Sequence, residues 1–110
     1  MDNNLRQEIH ELHAQICAGL ADPNRILILY ALNDAPHYVT ELAEMLEIPQ
    51  PTVSRHLRVL RERGLVSSER DSHTVNYHLT DQRIIQALDL MRGVLADQLR
   101  SQVNLLEAAE

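Results

Sequence analysis

Residues 39–77 read VTELAEMLEIPQPTVSRHLRVLRERGLVSSERDSHTVNY, and the order of parts in this stretch decides the fold. Thr40 to Leu46 has the apolar spacing of a short amphipathic helix, packed through Leu42, Met45 and Leu46. Glu47–Pro49 is a turn, with Ile48 directed to the same core. A second helix follows, with Val53, Leu57 and Leu60 along its back and Thr52, Ser54, Arg55, Arg58 and Arg61 on its polar sides. Pro51 costs that helix no hydrogen bond so near its start, and Gly64 ends it. Leu65–Arg70 and Thr74–Thr80 are β-rich runs around Asp71-Ser72-His73, which predicts a two-stranded hairpin. Helix, turn, helix and hairpin in this order describe a winged helix-turn-helix, whose second helix enters the major groove of DNA.

Charge placement agrees. The chain has 110 residues and a formal charge of −6, with ten arginines and no lysine. The charge is uneven: residues 1–49 carry −6, residues 50–80 carry +2 and residues 81–110 carry −2. The positive segment is the reading head, and it is local charge that meets phosphates. Three tyrosines, with no tryptophan or phenylalanine, argue against single-stranded nucleic acid bound by aromatic stacking.

Outward from the motif, one small domain is expected over 1–110, mainly α with a small β-wing, in the order α-α-α-α-β-β-α. Its reading head is expected at about residues 39–80. Leu5, Ile9, Leu12 and Ile16 recur at the 4-3-4 spacing of one helical stripe, predicting a helix over about residues 4–20. Asp22-Pro23 supplies an N-cap and a first-turn proline for a second, nearly all-apolar helix through about Asn33. A last helix over about residues 81–107 carries Ile84, Leu88, Met91, Leu95, Leu99, Val103 and Leu106. At 1.5 Å per residue it is about 40 Å long, more than so small a domain covers, so its stripe predicts a second copy of the chain as partner.

A single cysteine, Cys17, excludes an internal disulfide framework and an all-cysteine zinc site within one chain. The apolar run Ile26–Leu32 is too short to span a bilayer, and the first residues lack a basic start followed by an apolar stretch. A cytoplasmic setting without a membrane is expected. Glycine-rich phosphate loops, nucleophile elbows and paired carboxylates in a structural context are missing, so no enzymatic activity is expected.

Leu20-Ala21-Asp22-Pro23-Asn24-Arg25, Thr40-Glu41-Leu42-Ala43, Gln50 to Leu57 (QPTVSRHL) and Gly64-Leu65-Val66 together resemble the ArsR/SmtB family of bacterial repressors, over roughly residues 5–100. The resemblance implies a homodimeric repressor that dimerises through its first and last helices and is released from DNA by a metal ion or another small signal. Its metal patterns are incomplete here. Tyr38 and Thr40 stand where some members have a Cys-x-Cys. Asp81, Arg83, Val94 and Asp97 stand where others have an Asp, two histidines and a further His or Glu. A member that senses persulfides needs a cysteine pair, one of them near Tyr30. Ser72-His73 replaces the usual Gly-Arg of the wing.

The candidate DNA contacts are Gln50, Thr52, Ser54 and Arg55 at the leading half of the second motif helix, for base edges and nearby phosphates. Arg58, Arg61, Arg70 and His73 are assigned to the backbone. His56 is on the helix flank, open to a base contact or to a packing or capping role. The expected partner is a double-stranded operator with an imperfect inverted repeat. The soft ligands left are His10, His13 and Cys17, beside the first apolar stripe. Their imidazoles and thiolate could hold a transition-metal ion, or be a solvated pair beside a small core residue. Two further readings stay open, a winged-helix protein-interaction module without DNA binding and a constitutive repressor lacking a sensor.

Overall fold

The computed structural model describes residues 1–109. It contains α1 (Asn3–Gln15), a 3-10 turn (Cys17–Leu20), α2 (Pro23–Asp34), β1 (His37–Tyr38), α3 (Val39–Leu46), α4 (Gln50–Glu62), β2 (Val66–Asp71), β3 (Thr74–Leu79) and α5 (Arg83–Ala109). This is the expected winged helix-turn-helix, with one added strand.

Local chemistry sets the boundaries. Asp22 caps α2, its Oδ1 accepting from the backbone N–H of Asn24 at 2.8 Å and of Arg25 at 3.3 Å, with Pro23 at the first helical position. Glu47 ends α3 in the left-handed region (φ 55°), so that the Ile48 N–H reaches back to the Ala43 carbonyl at 3.1 Å. Gly64 does the same for α4 (φ 74°); open space surrounds the position where its Cβ would be, so it is the backbone angle that favours glycine.

The core lies where α2, α3 and α4 meet. Ile28, Leu29, Leu42, Val53, Leu57 and Leu60 are wholly buried, with Val66 and the α5 residues Ile85 and Leu88 closing the sides. Truncating one of the central leucines to alanine would cost about 2–5 kcal/mol. A side-chain tie adds to this on α5: the Tyr30 hydroxyl donates to Asp89 at 2.6 Å, and the Arg92 guanidinium lies 5.2 Å from the Tyr30 ring centre. Desolvation and that bond to Asp89 raise the Tyr30 phenol above its usual pKa.

Three expectations are corrected. The sheet has three strands rather than two, ordered β1-β3-β2, because His37 and Tyr38 pair antiparallel with Tyr77 and Asn76. The first helix stops at Gln15 instead of running to residue 20, and the chain continues in a 3-10 turn. On α5 the buried residue of the first turn is Ile85, while Ile84 is half-buried. The hairpin keeps two six-residue strands without glycine at its tip; Ser72 takes the left-handed angle (φ 58°).

The outer helices carry apolar residues that the chain does not cover. No residue of α1 is buried, and Leu5, Ile9 and Leu12 are 41%, 49% and 43% exposed. On α5, Met91, Leu95, Leu99 and Val103 are all more than half exposed. No helix among the described residues is long and apolar enough to cross a membrane.

Candidate nucleic-acid interface

Helix α4 divides cleanly. Val53, Leu57 and Leu60 are buried against α2 and α3, which turns Gln50, Ser54, Arg55, Arg58 and Arg61 to solvent. Ser54, Arg58 and Arg61 are four and three residues apart and so share one flank. With Arg55 and Tyr77 of β3 they line an open cavity of about 280 Å³ between the helix and the wing. The Arg55 guanidinium donates to the Thr52 hydroxyl at 3.3 Å, which aims it along the leading end of the helix. Arg70 and the hairpin-tip residue His73 are exposed.

A second groove continues from the first. Ser54 and Tyr77 face it from one side, Tyr38 and Thr40 at the start of α3 from another, and His73 and Val75 of the wing close it, enclosing about 310 Å³. Strand β1 makes this arrangement rigid, because it attaches the start of α3 to β3. The Tyr38 N–H is also held by the Glu41 carboxylate at 2.9 Å. Reading helix, α3 start and wing therefore form one concave surface. Tyr77, Tyr38 and Thr40 belong to it and were not among the expected contacts; alternation along β3 places Tyr77 on a face, but a face alone does not say what is opposite.

Charge pairing separates this surface from α5. Among the described residues, Arg55, Arg58, Arg61 and Arg70 make no ion pair with a carboxylate, whereas Arg83, Arg92 and Arg100 each hold an aspartate at 2.7, 3.2 and 3.4 Å. Four exposed guanidinium groups without carboxylate partners can neutralise phosphates or chelate a guanine edge. His56 falls outside this surface. Its side chain is 14% exposed and its Nε2 lies 3.8 Å from Asp22, the cap of α2, so it joins α4 to α2.

The structure does not gather the soft ligands. His10, His13 and Cys17 are exposed, and Cys17 lies past the end of α1 at the start of the 3-10 turn. Among the described residues no group of three His, Cys, Asp or Glu side chains could hold an ion within one chain. The α5 positions fit a metal no better. Asp81 is held by Arg83 through contacts of 2.7–3.1 Å, and this bond, with the Arg83 N–H, lowers its pKa to about 2. A cation there would have to displace a guanidinium.

The α3 and α4 part of this surface sits within the match to the family described as "bacterial regulatory protein, arsR family", which covers residues 22–68, while Arg70, His73 and Tyr77 of the wing lie beyond it. The chain is also 40% identical, over 76% of its own length and 71% of the relative's, to the HTH-type transcriptional regulator CmtR of Mycobacterium bovis. The chain belongs to the ArsR family. Another relative of this ArsR-family chain is the HTH-type transcriptional repressor SmtB of Mycobacterium tuberculosis, 37% identical over 71% of the chain. The matched region spans 58% of that relative's length. Among solved structures, the transcriptional repressor BigR from Xylella fastidiosa is 28% identical, with a TM-score of 0.72 over 86% of the chain and 96% of BigR.

Proposed function

We propose that this ArsR-family chain is a homodimeric, sequence-selective double-stranded DNA-binding repressor, acting in the cytoplasm and released from its operator by a small signal. The observation that carries the reading is the concave surface between α4 and the wing, with arginines that pair with no carboxylate among the described residues. Gln50, Thr52, Ser54 and Arg55 face base edges; Arg58, Arg61, Arg70 and His73 meet the backbone. The half-exposed stripes of α1 and α5 form the dimer seam. Relatives named as transcriptional repressors support the direction of regulation. No metal step enters this reading; within one chain no three donor side chains among the described residues are gathered.

Two reading helices related by a two-fold axis select an imperfect inverted repeat with half-sites about one DNA turn apart. Footprinting across a salt series tests this. A symmetric protected repeat, with affinity falling steeply as salt rises, is expected. Salt-insensitive association, or an asymmetric half-site bound by a monomer, would sink the proposal and favour a protein-interaction module.

A further inference from the structure

The end of α1 is held by a side chain from the far end of the reading helix. Arg63 occupies the C-cap of α4, and its Nη1 donates to the backbone carbonyls of Ala14 and of Gln15, the latter at 3.1 Å. Carbonyls at a helix end lack onward helical partners, and a cation there also meets the negative end of the helix dipole. Forty-eight residues separate Arg63 from Gln15, so the contact ties two distant parts of the chain.

The path of the Arg63 stem is shaped to fit. Gly19 is buried in the turn after α1, and a Cβ there would stand 2.8 Å from Arg63 Cδ and 3.2 Å from Leu65 Cδ1. Its need is for space. From the other side, Arg25 of α2 donates to the carbonyls of Gly19 at 2.8 Å and Ala18 at 3.1 Å. Because α1 itself has no buried residue, Arg63 is its side-chain tie to the reading head among the described residues, while Arg25 holds the turn that follows α1.

We infer that Arg63 is a positioning residue that ties the orientation of the reading helix to α1, so that the placement of α1 in a dimer sets the separation of the two reading heads. The use of this clasp rests on the proposed dimeric DNA-binding reading; its geometry does not. A shift of α1 is passed to α4 through hydrogen bonds at its C-cap, while the apolar core of α2, α3 and α4 moves as one body.

The test uses the full chain with Cys17→Ser and spin labels at Gln7→Cys and Glu44→Cys, diluted with unlabelled chain so that distances report within one protomer. Arg63→Ala should broaden the distance distribution between α1 and the reading head, and Arg63→Lys should restore much of it. Gly19→Ala should broaden it by displacing the Arg63 stem, and should add little in the Arg63→Ala background. In binding assays, the preference of Arg63→Ala for the best half-site spacing over one shifted by two base pairs should fall at least about 5-fold. An unchanged distribution in Arg63→Ala overturns the inference, as does a Gly19→Ala effect of equal size in both backgrounds. Broadened distances with an unaltered spacing preference also overturn it. If distances broaden as expected but the parent binds no DNA, the clasp stands and the DNA-binding reading falls.

Discussion

The arginines of α4 and those of α5 are the same residue type on two exposed helix faces, yet they live in opposite circumstances. On and just before α5, Asp81, Asp89 and Asp97 lie two or three residues ahead of Arg83, Arg92 and Arg100 and pair with them. On α4 the one acid, Glu62, follows Arg58 by four residues, the less favourable order for a helical ion pair, and Arg55, Arg58 and Arg61 are unpaired among the described residues. Spacing of acids, more than number of bases, decides which helix can meet a polyanion. A chain of net charge −6 can carry a local cationic surface for this reason.

The comparison breaks most visibly at α5. Replacing Leu95 and Leu99 together with glutamate puts unpaired charge into the proposed seam, at a cost of about 3–5 kcal/mol. Sedimentation should then show monomer, and operator affinity should collapse. A variant that stays dimeric and binds normally would mean that the exposed stripe of α5 faces solvent. On α4 the effects are smaller and of two kinds. Arg55→Ala should cost about 1–3 kcal/mol and relax preference at one base position. Arg58→Ala with Arg61→Ala should weaken every sequence alike and reduce the salt slope by about 2, measured by titration at several salt concentrations.

The paired arginines should do far less. Arg100→Ala removes an exposed ion pair and should change thermal stability by less than about 1 kcal/mol, with operator binding intact. The smallest signal is the titration of Asp81. Its folded pKa is about 2 against an ordinary value of 3.8, so the stabilisation it contributes is present above pH 3.8 and is lost as pH falls toward 2. Carbon-detected NMR should place the carboxyl near 2, and Arg83→Ala should move it back up toward 3.8.

Much of this fold can be read in the sequence because the ends of its elements are chemically marked. Asp22-Pro23, Glu47–Pro49 and Gly64 mark helix boundaries, and the back of α4 follows from Val53, Leu57 and Leu60. Strand β1 escapes because two residues have no period to read; only pairing with Tyr77 and Asn76 makes them a strand. The break after Gln15 escapes because Ile16 continues the apolar spacing of α1 while the backbone changes course. Within the candidate interface, the α4 arginines are legible from spacing. Tyr77, Thr40 and the retreat of His56 toward Asp22 depend on which elements pack together, which the sequence does not state locally.

A helix with no buried residue of its own has a consequence for dose. In the proposed dimer, α1 completes its packing only when a second chain arrives, so part of the free energy of folding is shared with assembly and depends on how many chains are present. The melting temperature should rise with protein concentration. Well below the dimer dissociation constant, operator occupancy would climb roughly as the square of the number of chains. A modest change in synthesis would then throw the regulated gene from open to closed over a narrow range, before any signal reaches the protein.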